Sequence, residues 1–364
     1  AALTELDKAV ALNPNYFDAH YYRGLVLSAL GQSDEALAAL QRAAKLKPDN
    51  LELTIAMPNA LREAGREDEA LTAYWQLLEK QPGRVATHDD LNSYAWSIGR
   101  KDLFLKSFAY AREREGEKPD LLLHEAALRM RANEGEEAER LLMRACEIAP
   151  ERADVAGMLG RVLAYNRKYA ESFPHFLAAI ARDPAAASYR HEFGFALLND
   201  NQPKEALHVL EEARALDAND QLTLAGLALA YRELGDSRYG QLVDFDRHVR
   251  VYDIRLPQSF ASAKAFNEML AEELKRLHTS KVEPIDQSLR NGTQTVGDLF
   301  NSNAFAIREV REGISEAVAD YIKQMPNDAA HPLFSRKDEN FTYSGSWSCQ
   351  LRSSGYHANH VHPK

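Results

Sequence analysis

Proline recurs at a fixed spacing along most of this chain, at Pro14, Pro48, Pro82, Pro150 and Pro184. Every interval is 34 residues or twice 34, and the same spacing places Gly116 and Ala218 in the two remaining positions. Proline ends a helix because it lacks an N–H donor and clashes with the preceding turn. A sustained period of this length predicts stacked pairs of helices, with one pair in each repeat.

Other kinds of residue recur in step with the prolines. Small residues form a column that would let two antiparallel helices approach closely: Gly24, Ala126, Gly160, Gly194 and Ala228, with Pro58 and Asn92 as exceptions. Large apolar residues form a second column that would fill the space between helices: Leu6, Leu40, Tyr74, Phe108, Leu142, Phe176 and Leu210. A third column is glycine in four repeats, where the left-handed conformation would end the first helix: Gly31, Gly65, Gly99 and Gly235.

The period and these columns resemble the tetratricopeptide repeat pattern. The resemblance predicts half a repeat at 1–16, six full repeats at 17–220, and a seventh repeat that begins at 221. The second helix of the seventh, near 238–251, is polar and has lost the pattern. It is either a capping helix, since a terminal repeat needs a wetter face, or a diverged repeat without a special role. We therefore predict a helical solenoid domain over residues 1–250.

Solenoids of this kind bind peptides or other proteins in the groove that their first helices line. Some tetratricopeptide domains hold a terminal carboxylate with a Lys and Asn clamp, but Tyr21, Leu25 and Ala29 stand at the equivalent positions here, so the clamp is rejected. Aromatic and polar residues gather at groove positions of later repeats: Trp96, Arg131, Arg161, Tyr165, His191 and Phe195. These residues either bind a partner or pack against each other and the C-terminal domain.

Composition narrows the class of partner. The formal net charge is -10 and the sequence pI is about 5.7, which argues against a general nucleic-acid binder. No apolar run approaches the ~20 residues of a membrane helix, so no membrane segment is predicted. The only cysteines, Cys146 and Cys349, have no metal-binding spacing and fit a reducing, cytoplasmic environment. The chain begins at Ala1 inside a repeat, and we expect a fragment cut at both ends.

The repeat pattern stops at about residue 251, where a second domain (251–364) is predicted. Apolar spacing predicts helices at 260–278 and 304–325, joined by a loop around 283–297. Apolar residues then alternate through 341–351, which indicates a β-strand. The sequence Ser353-Ser354-Gly355 predicts a turn, after which a second strand would complete a hairpin.

Three histidines, His357, His360 and His362, lie within six residues near the end of the chain. In an extended strand His360 and His362 point to the same face, so both imidazoles can bind one metal ion. The spacing fits equally well a polar strand near a chain end, or two packed histidines that hold hydrogen bonds and no ligand.

The residues around these histidines, 345–357 and 359–363, resemble a family of 2-oxoglutarate- and Fe(II)-dependent oxygenases, as do 287–295 and the helix at 266–278. The resemblance implies the start of a double-stranded β-helix, or jelly roll, and hydroxylation of a substrate with Fe(II) and 2-oxoglutarate. It makes His360 and His362 metal ligands and His357 their neighbour. His362 stands where most of the superfamily has a carboxylate, so the ligand set stays open.

On this resemblance, the distal histidine and the basic residue that anchors 2-oxoglutarate would follow Lys364, so the fragment itself is expected to be inactive. Two other functions remain open. One is a non-catalytic scaffold whose C-terminal domain packs or binds a partner, and the other is a zinc-binding module.

Overall fold

The computed structural model describes residues 2–285 and 287–358, which fall into two compact units, Ala1–Gly116 and Glu117–Lys364. This division lies within the repeats, and the domain boundary at 250 stays a prediction. The described part of the first unit contains seven α-helices: α1 (Ala2–Leu12), α2 (Phe17–Ala29), α3 (Ser33–Leu46), α4 (Leu51–Glu63), α5 (Glu67–Lys80), α6 (Val85–Ser97) and α7 (Lys106–Glu115).

Helices of the first unit pair as the column pattern predicts. Gly24 of α2 faces Leu40 of α3 so closely that an added Cβ atom would lie 2.5 Å from Leu40 Cγ. The alanines on either side of Leu40, Ala36 and Ala43, are fully buried. The small-residue column therefore lets the large apolar column fill the space between the paired helices.

Asn92 replaces the small residue in the third repeat of this unit, and the local structure changes around it. Its buried Nδ2 donates to the His88 carbonyl at 2.7 Å and to Ser107 Oγ at 2.8 Å, while its Oδ1 accepts from the Leu105 backbone N–H. Leu105 adopts a left-handed φ of 63° immediately before α7 begins at Lys106. Because a buried amide needs hydrogen-bond partners, Asn92 binds the Leu105 N–H in this left-handed turn. Helix α7 therefore begins only at Lys106 and has ten residues.

The second unit continues the helix pairs and then changes character. Its repeats comprise α8 (Pro119–Arg131), α9 (Gly135–Ile148), α10 (Ala153–Tyr165), α11 (Tyr169–Arg182), α12 (Ala187–Asn199), α13 (Pro203–Leu216) and α14 (Gln221–Leu234). The large apolar column is fully buried here as well, at Leu142, Phe176 and Leu210. Gly160 lies against the ring of Phe176 and Gly194 against Leu210, which confirms the close approach of paired helices.

The first helix of each repeat ends in a left-handed residue, as the glycine column predicts. Gly31, Gly65, Gly99 and Gly235 have φ values of 71°, 71°, 76° and 64°. The same position is not glycine in the other repeats, yet Asn133, Arg167 and Asn201 there have φ values of 65°, 62° and 58°. The turn geometry is therefore common to the repeats. Asparagine enters the left-handed region more readily than most residues, whereas Arg167 adopts a conformation that this region disfavours.

The second helix of the seventh repeat is broken rather than continuous. Two single turns, α15 (Tyr239–Leu242) and α16 (Phe245–His248), stand where a helix near 238–251 was predicted. The chain is extended at Val243 and Asp244, and the Asp244 side chain accepts from the Arg247 N–H to start the second turn. The extended backbone at Val243 and Asp244 interrupts the helix, and the Asp244 carboxylate supplies the acceptor that the Arg247 N–H would otherwise find in a preceding turn.

Two longer helices follow, close to the predicted bounds: α17 (Ala263–Leu277) and α18 (Phe305–Gln324). The predictions of helices at 260–278 and 304–325 are confirmed. Ser262 caps the start of α17 by accepting from the Ala265 N–H. Glu273 of α17 accepts from the N–H groups of Ala306 and Ile307, so the two helices are joined at the start of α18.

The described strands form one two-stranded antiparallel sheet of β1 (Leu289–Gln294) and β2 (Cys349–His357). Three predictions were wrong here: 283–297 contains β1 rather than only a loop, 341–348 is not a strand, and Ser353-Ser354-Gly355 lies within β2. The pairing shifts between Arg290 and Gly292, so several residues of β2 bulge opposite one residue of β1. The residues Ser353-Ser354-Gly355, which were predicted to form a turn, therefore lie in this bulge. No jelly roll is present among the described residues.

Candidate functional site

First helices of successive repeats lie side by side in the second unit. Helix α10 contacts both α8 and α12, and α12 also contacts α14. Polar side chains connect these neighbours on their solvent-facing side. Arg161 of α10 forms an ion pair with Glu192 of α12, and Tyr165 of α10 donates to Asn133 Oδ1, just after α8, at 2.6 Å. The predicted residues Arg161 and Tyr165 are therefore positioned by contacts with both adjacent repeats.

These residues remain available to a partner despite their contacts. The side chain of Arg161 is 50% exposed and Tyr165 is 46% exposed. The Glu192 side chain is only 16% exposed, so a ligand carboxylate would share the exposed Arg161 guanidinium with Glu192 rather than displace it. Exposed aromatic and arginine side chains are the residue types that dominate binding energy at protein interfaces.

Phe195 and Arg131 are two further predicted groove residues on first helices of this unit. Phe195 follows Glu192 by three positions on α12, so the two share one helix face, and its side chain is half-buried. Arg131 is exposed in the last turn of α8, two residues before Asn133. We call the five residues Arg131, Arg161, Tyr165, Glu192 and Phe195 the first-helix surface.

His191, another predicted groove residue, does not belong to the first-helix surface. It is buried, and its Nδ1–H donates to Asp220 Oδ2 at 2.8 Å. The same carboxylate accepts from the Thr223 N–H and caps the start of α14. Although burial raises the pKa of Asp220, the bonds from Thr223 and His191 lower it below the usual range overall. His191 thus joins α12 to α14 and presents little surface to a ligand.

Trp96 belongs to the first unit. Its ring packs edge-to-face against Phe104 with centroids 5.1 Å apart, and Lys101 Nζ lies 5.3 Å from its centroid. The residue is half-buried. Trp96 therefore packs against residues of its own repeat. Packing of this kind was the alternative to partner binding for the predicted groove residues.

Sequence reasoning missed Glu192 and Asn133, although each holds a member of the first-helix surface in place. Helix periodicity carried the available signal for Glu192, because it lies three residues before Phe195 on one face. No comparable signal marked Asn133, since its role depends on how far the Tyr165 side chain reaches from the next repeat.

The predicted metal ligands His360 and His362 lie outside the described residues. His357, their predicted neighbour, is exposed at the end of β2 and opposite Leu289, with its Nδ1 3.1 Å from Ser288 Oγ. Within 2–285 and 287–358, no cluster of three or more His, Cys, Asp or Glu side chains is arranged to hold a metal ion.

Comparison with known proteins supports the repeats alone. Residues 5–38 match the family model of the tetratricopeptide repeat. No curated protein matches the chain. Similar solved structures include a tetratricopeptide repeat protein from Parabacteroides merdae, with 14% identity over 70% of this chain and 97% of that one, at a TM-score of 0.46. Yeast Tom70 shares 17% identity over 76% of this chain and 59% of its own, with a TM-score of 0.48.

A third similar structure is YrrB, described as a TPR protein with an unusual peptide-binding site, with 18% identity over 60% of this chain and 96% of that one, at a TM-score of 0.32. In the described part of the chain, no helix combines the length and apolar character needed to cross a bilayer. The chain is mainly helical, and its helix pairs resemble tetratricopeptide repeats, with a family match at 5–38. Two longer helices and a two-stranded sheet follow them.

Proposed function

We propose that this protein is a binding scaffold whose second unit captures a peptide segment of another protein on the first-helix surface. The observation that carries the proposal is the set of exposed Arg161 and Tyr165 on α10 and half-buried Phe195 on the adjacent first helix α12. Tetratricopeptide repeats serve protein interaction, and aromatic and arginine side chains supply most of the energy of such interfaces. A non-catalytic scaffold whose C-terminal domain packs or binds a partner was the alternative to the oxygenase, and the repeat match at 5–38 favours the scaffold.

The charges of the surface specify the class of peptide. Arg131 and Arg161 provide two guanidinium groups against the single carboxylate of Glu192, which pairs with Arg161, and Tyr165 and Phe195 provide apolar area. Arginine pairs most strongly with carboxylates, while an aromatic pair accommodates an apolar side chain. We expect the preferred peptide to carry an acidic residue close to an aromatic or large aliphatic residue.

Selection from a phage-displayed random peptide library on the immobilised protein tests this function. Dissociation constants of the enriched peptides would then be measured by fluorescence anisotropy for wild type, Tyr165→Ala and Phe195→Ala. Each substitution should weaken binding at least about tenfold, which corresponds to about 1.4 kcal/mol. Met143→Ala is the matched control, because Met143 is 52% exposed on a second helix, α9. Failure to enrich any peptide, or equal loss in the control, would refute the proposal.

Oxygenase activity of the C-terminal region is the second candidate. Two segments that resemble the oxygenase family, 287–295 and 345–357, contain the two strands that pair in the sheet. This juxtaposition supports the idea that they belong to one domain. On this proposal, His360 and His362 would hold Fe(II) beside bound 2-oxoglutarate, and the groove of the repeats would present a protein substrate. The cysteine content fits a cytoplasmic location.

Fe(II) binding under anaerobic conditions and consumption of 2-oxoglutarate test the second candidate on the protein expressed from its complete gene. His360→Ala should abolish both, whereas His357→Ala should leave metal binding largely intact. Unchanged 2-oxoglutarate turnover in His360→Ala, or zinc in a closed four-ligand site, would exclude these ligands and leave the scaffold function alone.

A further inference from the structure

A cavity of about 330 Å³ lies beside the broken seventh repeat, within the second unit. Arg214 of α13, Tyr231 of α14, Arg238 and Arg247 line one side, while Asp328 and His331 from the segment after α18 line the other. Asp328 is the one carboxylate among the described residues of the lining, against three guanidinium groups. Its Oδ1 accepts from the Ala330 N–H of its own turn.

The three arginines differ in how their charge is already compensated. Arg238 forms ion pairs with Asp236 and Glu211, both at 2.7 Å, so it has little left to offer a ligand. Arg247 reaches Asp244 only at 4.0 Å and stacks over the Phe334 ring. Arg214 forms no ion pair or hydrogen bond with any described residue. Arg214 and Arg247 therefore supply the uncompensated positive charge.

Tyr231 provides a second, independent observation. The residue is 1% exposed, and its hydroxyl is buried without a hydrogen-bond partner in the described part of the chain. A buried hydroxyl that donates to nothing costs about 1–3 kcal/mol. The hydroxyl is closed to solvent and Arg238 lies over the ring at 4.4 Å from its centroid, so a ligand oxygen in the cavity would supply the missing acceptor once this arginine side chain shifts aside.

His331 does not add a charge to this cavity. Its Nδ1 accepts from the N–H groups of Leu333 and Phe334, at 3.1 and 3.2 Å, so the proton is on Nε2, which donates to the Gln241 carbonyl at 2.8 Å. The neutral ring thus joins α15 to the segment after α18 and forms a fixed wall of the cavity.

We propose that this cavity binds a small anion through a single phosphate or carboxylate group, held by Arg214 and Arg247 and by the hydroxyl of Tyr231. Guanidinium groups and a phenol O–H are all donors, which suits an oxyanion that accepts several hydrogen bonds. The inference is independent of peptide capture, because none of the cavity residues belongs to the first-helix surface.

Isothermal titration of the full chain with sodium phosphate and with sodium acetate tests the site, with sodium chloride of equal ionic strength as the blank. We expect saturable binding of at least one oxyanion, weakened at least tenfold by Arg214→Gln and severalfold by Tyr231→Phe. Binding of phosphate alone would identify a phosphate ligand, whereas binding of both would identify a general oxyanion site. Arg232→Gln is the matched control, because Arg232 adjoins Tyr231 on α14 but pairs with Glu233 outside the cavity.

Thermal unfolding gives a second readout that does not depend on heat signals. A ligand that binds only the folded state stabilises it in proportion to the logarithm of its concentration over Kd. Phosphate or acetate should therefore raise the Tm of wild type and Arg232→Gln but not of Arg214→Gln. If neither anion binds saturably, or if Arg214→Gln binds as tightly as wild type, the site does not exist.

Discussion

Phe176 offers the sharpest test of how the repeats hold together. Its side chain is 1% exposed, stacks on Phe193 of α12 with centroids 5.9 Å apart, and lies against Gly160 of α10. The residue thus joins three helices, α10, α11 and α12. Phe176→Ala would leave a cavity beside the backbone of Gly160, where an added Cβ atom would lie only 3.0 Å from the Phe176 ring. Because the paired helices are already this close, we expect the cavity to collapse little. A substitution of this kind costs about 3–5 kcal/mol of unfolding free energy.

Urea unfolding followed by far-UV circular dichroism would measure this loss, and amide hydrogen exchange would locate it. Each repeat contacts only its neighbours, so faster exchange should concentrate in α10, α11 and α12 and diminish with distance. Leu177→Ala is the control, because Leu177 follows Phe176 on the same helix but is 54% exposed. We expect the control to cost less than about 1 kcal/mol. A loss below 1 kcal/mol for Phe176→Ala, or equal losses for the two variants, would refute the reasoning.

Three further predictions address the turns, the buried amide and the response to pH. Gly65→Ala, at a φ of 71°, should cost about 1–2 kcal/mol in urea unfolding, whereas Gly240→Ala, with open space around it, should cost nothing. Asn92→Ala should cost about 1–3 kcal/mol in the same assay, because the Leu105 N–H loses its buried acceptor. Burial lowers the pKa of His278 below 6.5, so the unfolded chain takes up a proton first as the pH falls. Thermal stability should therefore decrease as the pH falls below 6.5, and His278→Gln should reduce that decrease.

The repeats could be predicted from the sequence because each column has a local cause. A proline, a small residue and a large apolar residue at fixed spacing specify a helix pair without knowledge of distant contacts. The turn at Arg167 could not be predicted from residue type alone, because arginine enters the left-handed region only when the surrounding repeat holds it there. Asparagine at Asn201 accepts this region more readily. The repeat period, continued through these positions, was the signal that would have predicted them.

The sheet shows the opposite case. Strand β1 contains Asn291 and Gly292, residues that favour turns, and it pairs with a strand that follows some 55 residues later in the chain. Asn291 has a left-handed φ of 52°, and the residues Ser353-Ser354-Gly355, which favour a turn, lie in the bulge opposite it. Pairing between distant segments overrode local propensity here. The candidate site likewise depends on contacts between residues distant in sequence, because Arg161 pairs with Glu192 of the next repeat.

Site-specific photo-cross-linking tests the central claim, that the first-helix surface captures a peptide. A photoreactive phenylalanine analogue would replace Phe195 in one protein and Leu177, exposed on the second helix α11, in another. Each would be irradiated with the tightest peptide from the phage selection, and the products analysed by mass spectrometry. If the first-helix surface captures the peptide, position 195 should form a cross-link and position 177 should form none. A cross-link from 177 alone, or from neither position at peptide concentrations well above Kd, would contradict it.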